Sequence, residues 1–71
     1  MTLAKREKMI ACRERAGLTR TEVGSKLMYA EPTIRNIEYG FLYTAGWTTQ
    51  KKKMWLQLAH LYGCKPEDLG E

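Results

Sequence analysis

The placement of glycine and proline constrains this chain more than any other feature. Gly17, Gly40 and Gly63 each close a stretch of helical periodicity, and Pro32 and Pro66 each open one. A glycine just past a helix adopts a left-handed conformation at little cost. A proline is tolerated only in the first helical turn, where its missing amide hydrogen has no intrahelical partner to lose. The punctuation therefore divides the chain into short helices and sets the class as all-α.

The apolar positions fill in those helices. A first runs from about Leu3 to Ala16, capped by Thr2, with Leu3, Met9, Ala16 and either Ile10 or Cys12 turned inward and Lys5, Arg6, Lys8 and Arg15 solvated. Thr19 and Glu22 form a capping-box pattern that opens a second helix from about Arg20 to Met28, with Val23 and Leu27 inward. Gly24 lies between them. Its helix cost relative to alanine is roughly 1 kcal/mol, so it is expected to let the next helix approach closely. The third helix runs from about Glu31 to Tyr39, with Ile34 and Ile37 inward and Pro32, Arg35, Asn36 and Tyr39 on the outer side. The fourth runs from about Thr49 to Tyr62, with Met54, Trp55, Leu58, Leu61 and Tyr62 as its core face. A last short helix starts at Pro66 and tucks in Leu69.

Size and charge bound the function. A chain of 71 residues builds one hydrophobic core, so residues 1 to 71 are read as a single domain. No apolar run approaches the roughly 18 residues of a membrane span, and the N-terminal stretch lacks the apolar centre of a signal peptide, so the expected compartment is the cytoplasm. The net charge of +4 favours an anionic partner. It is unevenly spread. Residues 1–18 carry five basic and two acidic groups, residues 19–40 three of each, and residues 41–71 four basic and three acidic. Cys12 and Cys64 fit no metal spacing and read as buried thiols, and His60 has no ligand neighbours. With no phosphate loop, paired carboxylates or nucleophile motif, neither an enzyme nor a cofactor nor a metal site is expected.

The stretch "LT" at 18 and 19, Gly24, Leu27, "TI" at 33 and 34, "IE" at 37 and 38 and Gly40 resembles the small repressor family of phage Cro and CI proteins and their bacterial relatives, the XRE class. "LAHLYGCKPEDL" from 58 to 69 is similar to the family's fourth-helix end and fifth-helix start. The resemblance implies a five-helix, lambda-repressor-like bundle with a helix-turn-helix at helices two and three, about residues 19–40. It also implies an ion pair between Arg13 and Glu38, which fixes how two helices dock.

Three departures from the family pattern bear on function. Arg20 stands where glutamine is usual and can hold a phosphate. Ala30 replaces a capping serine or threonine, losing a cap worth about 1 kcal/mol. Glu31 and Pro32 occupy positions that often reach base edges, but glutamate accepts only from cytosine and repels phosphates. The resemblance thus leaves base reading to Arg35, Asn36 and Tyr39, beside Thr33. Lys51, Lys52 and Lys53 follow the loop, where family members meet the DNA backbone, and three cations oppose the positive end of a helix unless an anion is near.

Two functions follow from these residues. The first is a sequence-specific regulator of a genetic switch that inserts residues 31 to 39 in the major groove of a double-stranded DNA operator, as a homodimer on a near-palindromic site. With no room for an inducer domain, its regulation is expected to come from expression level. The second is an antirepressor that docks on a repressor protein and blocks its DNA-reading surface. The neutral helix pair, Glu31 with Pro32, and the aromatic connection Phe41, Leu42, Tyr43 and Trp47 favour that second function. Such a connection either folds back on the core or meets a partner.

Overall fold

The computed structural model describes residues 5–44 and 46–70. Among them are four α-helices and one 3₁₀ turn, with no strand: α1 (Glu7–Arg15), α2 (Arg20–Leu27), α3 (Glu31–Glu38), α4 (Thr49–Tyr62) and the turn Pro66–Leu69. The expected fifth helix is thus a single 3₁₀ turn. Asp68 closes it by accepting from the Lys65 amide at 3.1 Å, and Gly70 follows at positive φ.

The helix boundaries follow from local chemistry. The Thr19 hydroxyl accepts from the Glu22 amide at 3.1 Å, and the Glu22 carboxylate accepts from the Thr19 amide at 3.0 Å. This reciprocal bonding satisfies donors that a helix start leaves orphaned. It also holds the Glu22 carboxyl below its usual range, chiefly through the Thr19 backbone amide. Thr48 caps α4 by accepting from the Lys51 amide at 3.1 Å, and Gly63 ends it at φ 71°. Described helix α1 begins later than expected, because the Arg6 amide is already bonded to the Glu38 carbonyl at 2.7 Å. Thr2 and Leu3, the expected cap and core residue, lie outside the described residues.

Met9, Cys12, Val23, Ile34, Ile37, Met54, Trp55, Leu58, Ala59, Tyr62 and Leu69 make the core. Leu27 and Leu61 pack against its margin. Ala16, expected inside, is exposed as the residue that ends α1. Of the alternatives on α1, Cys12 is buried and Ile10 half-buried. α2 packs on α3, while the 3₁₀ turn sits against α1 and α4. Trp55 is the hub. Its ring is fully buried, and its Nε1 donates to the Gly70 carbonyl at 2.8 Å, fastening the C-terminal turn to α4.

Gly24 is required for a reason other than helix approach. A Cβ there would lie 2.4 Å from the Tyr29 carbonyl oxygen, so it is the backbone of the α2–α3 turn that comes close. The Tyr29 amide returns to the Gly24 carbonyl at 2.7 Å. Met28 makes this reversal in the left-handed region, at φ 64°.

Candidate nucleic-acid interface

α2 and α3 are joined by only Met28, Tyr29 and Ala30. Ala30 takes the N-cap position of α3 and offers no side-chain bond, as the sequence implied. Ile34, Ile37 and Glu38 face inward. On the other side Pro32 and Arg35 are exposed, and Glu31, Thr33, Asn36 and Tyr39 are half-buried. The helix therefore presents Arg35 most fully, with Asn36 accessible along one edge.

The orientation of α3 is fixed by one carboxylate. Glu38 is 0% exposed, and its two oxygens accept from Arg13 Nε at 2.7 Å and Arg20 Nε at 2.8 Å. Arg13 also donates to the Leu18 carbonyl at 2.9 Å. One acidic group thereby ties α1, α2 and α3 together. The Arg13 pair was implied by the resemblance, but the Arg20 pair has no signal in the sequence, because the two residues meet only after α2 folds onto α3.

Arg20, expected to hold a phosphate, is turned toward α3. Its guanidinium lies over the Tyr39 ring, 5.2 Å from the centroid, and Nη2 donates to the Tyr39 hydroxyl at 3.3 Å. The bond to Glu38 is the main cause that raises its pKa. Lys5 sits over the same ring at 5.1 Å. Tyr39 thus gathers two cations at the C-terminal end of α3.

The three lysines separate. Lys52 and Lys53 are exposed, whereas Lys51 is 4% exposed, with Nζ 4.5 Å from the Trp47 ring centroid and 5.2 Å from that of Trp55. The expectation of a backbone-phosphate contact from Lys51 is therefore corrected. The attraction of two indole faces draws the cation inward. Arg6, expected to be solvated, is corrected likewise. It lies 4.9 Å from the Trp55 centroid and donates to the carbonyls of Ile37, Leu42 and Tyr43. Burial lowers its pKa. A long basic side chain reads as solvated in any helical pattern, and only the fold reveals that aromatic rings and loop carbonyls surround it.

The aromatic connection divides between the two expected fates. Tyr43 and Trp47 meet the Trp55 ring edge to face, at centroid distances of 5.9 and 5.8 Å. Phe41, Leu42 and part of Trp47 stay open to solvent.

Among the described residues, no group of three His, Cys, Asp or Glu side chains is placed to hold a metal ion, and no helix is long and apolar enough to cross a membrane. Both cysteines are free thiols. No protein-family model, curated protein or solved structure matches the chain.

Proposed function

We propose that this chain is a sequence-specific DNA-binding regulator of transcription, of the phage Cro/CI type, in which α2 and α3 act as a helix-turn-helix and α3 enters the major groove. The observation that carries this reading is the two-sided character of α3. Its inner side is locked by Ile34, Ile37 and the doubly bonded Glu38, and its outer side offers Arg35 and Asn36. Arginine can bond guanine at two points and asparagine can do the same for adenine, each worth about 1–3 kcal/mol of discrimination. A rigid support is what such readout needs, because the contacts tolerate little displacement. Lys52 and Lys53 supply exposed positive charge for the phosphates.

A second reading, a modulator that covers the DNA-reading surface of a repressor protein, is favoured by the internal use of Arg20 and Lys51. Both cations are bound within the chain rather than aimed outward. The α2–α3 stretch, residues 19–40, is neutral, with Glu31 and Pro32 leading α3.

Fluorescence anisotropy against a randomised duplex library, followed by salt titration of the selected sequence, separates the two. The DNA reading expects a selected sequence and a logarithmic affinity that falls linearly with the logarithm of salt. Binding that is weak and indifferent to sequence, together with capture of a helix-turn-helix repressor that Glu31→Lys abolishes, transfers the function to the second reading.

A further inference from the structure

A cleft of about 270 Å³, open to solvent on one side, lies between the α2–α3 turn, the connection after α3 and one face of α4. Tyr29 comes from the turn, Tyr43 from the connection, and Gln50, Lys53, Met54 and Gln57 from α4. The last three lie three, four and seven residues beyond Gln50, so all four share one side of the helix. Three separate segments thus build one hollow. Its volume falls at the lower edge of the range for small-molecule sites, about 300–1,000 Å³.

The walls are fixed, while the polar groups are free. Met54 is 2% exposed and forms an apolar floor. Tyr43 rests edge-on against Trp55, and the Tyr29 amide is bonded to the Gly24 carbonyl. Among the described residues, the non-glycine residues at positive φ are Tyr43 itself and Met28, the neighbour of Tyr29. Strain of this kind collects at ligand sites. The side-chain polar groups of Tyr29, Tyr43, Gln50, Lys53 and Gln57 make no hydrogen bond among the described residues. A hollow with set walls and unused donors and acceptors loses little freedom when it is filled.

The lining specifies the occupant. Lys53 is its one charged side chain and no carboxylate lines it, so the occupant carries a negative group. Two tyrosine rings and the Met54 thioether take a flat, polarisable ring. A carboxamide both donates and accepts, and two of them match a ring whose edge carries donors beside acceptors. A simple aromatic acid would leave Gln50 and Gln57 unused. We propose that this cleft binds a nucleoside monophosphate, with its base against Tyr29, Tyr43 and Met54, the base edge on Gln50 and Gln57, and its phosphate on Lys53.

Binding stands without the DNA reading, and only its consequence rests on that reading. A bound phosphate takes Lys53 from the DNA backbone, so the nucleotide is expected to lower affinity for the selected duplex and to reduce the salt slope by about one. Regulation of this kind needs no second domain.

The test is calorimetric titration of the full chain with AMP, GMP, CMP and UMP in the absence of DNA, with amide shifts followed by NMR. For at least one nucleotide a single saturable site is expected, with Kd below about 1 mM and shifts centred on Tyr29, Tyr43, Gln50, Met54 and Gln57. Lys53→Met should weaken it at least about tenfold, through loss of a charge-assisted bond. Lys65→Met removes the same charge from an exposed position outside the cleft and should leave it unchanged. Both lysines are exposed, so the melts of the two variants should match that of the parent and exclude misfolding. No saturable binding by about 1 mM overturns the proposal. So do inorganic phosphate that binds as tightly as the nucleotide, equal losses in the two lysine variants, and shifts centred instead on Arg35 and Asn36. Because no DNA is present, failure of the DNA reading alters none of these outcomes.

Discussion

Arg13 Nε and Glu38 Oε2 lie 2.7 Å apart between α1 and α3, with the carboxylate wholly buried. Removing one member of such a pair leaves a charge without solvent or partner, which costs about 3–5 kcal/mol. A domain of this length has about 4–10 kcal/mol in total. Glu38→Gln is therefore expected to remove a large part of the stability and to lower the urea midpoint accordingly. Arg13→Met should approach that loss. Arg20→Met should lose less, because 28% of the Arg20 side chain is already exposed to water. A Glu38→Gln midpoint close to that of the parent would show that the carboxylate does not hold the three helices.

The turn between α2 and α3 contains two backbone demands of opposite sign. Met28 is 92% exposed at φ 64°, so its side chain contributes little packing while its Cβ is crowded. Met28→Gly is expected to raise stability by about 1 kcal/mol, since an L-residue in the left-handed region costs about 1–2 kcal/mol. Gly24→Ala should do the reverse despite alanine's better helix propensity, because the added Cβ would meet the Tyr29 carbonyl at 2.4 Å and force the turn backbone to move. A loss of about 1–3 kcal/mol is expected, as for other overpacked sites. Calorimetric melts of the two variants should shift in opposite directions.

Ala30 leaves α3 without a side-chain cap. Ala30→Ser already has the extended N-cap backbone it needs, at φ −71° and ψ 151°. A gain of about 1 kcal/mol is expected in chemical denaturation. No gain would mean that the serine hydroxyl fails to reach the orphan amides of α3.

What the sequence revealed and what it hid differ in range. Thr19 with Glu22, Pro32 and Gly63 act within a few residues of themselves, so their roles at helix ends were legible from spacing alone. The inward faces of α3 and α4 were legible for the same reason, since helical periodicity marks them. Arg6 and Arg20 were misjudged or incompletely judged because their partners are distant in the chain, and Lys51 because a cation four residues from Trp47 and from Trp55 is still read as solvated until the fold closes both rings over it. Arg6 meets carbonyls some thirty or more residues away, Arg20 meets Glu38, and Lys51 meets rings on both sides of the α4 N-terminus. A flexible cation carries no periodic signal of its destination. The candidate reading positions were legible as a face of α3, whereas the arginine that buttresses them was not.

Cys64 links the C-terminal turn to pH. Burial first, and the neighbouring Cys12 thiol next, push the Cys64 thiol up to about 11 from its ordinary value near 9.0. The folded state thus favours the protonated thiol. Its contribution is fully present below about pH 9 and is lost as pH rises through about 11. The Tyr62 phenol, raised mainly by burial, works in the same direction at still higher pH. Urea midpoints measured from neutral to alkaline pH should fall across that window, and Cys64→Ala should flatten the decline. Alkylation of Cys64 at pH 8 should also be slow, because little thiolate is present.

The most discriminating change is at Arg35, which is exposed on α3 and whose side chain, among the described residues, makes no hydrogen bond or ion pair, its carbonyl accepting from the Tyr39 amide at 2.9 Å. Under the DNA reading, Arg35→Ala should leave the melt unchanged and lower affinity for the selected duplex by about 1–3 kcal/mol, with preference lost at one base pair. Lys53→Ala should instead weaken all duplexes alike and reduce the salt slope by about one. Arg20→Met should differ from both. It should lower stability through Glu38 and Tyr39, and any effect on DNA should extend to several base pairs because the whole of α3 loses its support. If Arg35→Ala and Lys53→Ala weaken binding identically, with no base-specific effect, α3 is not reading sequence.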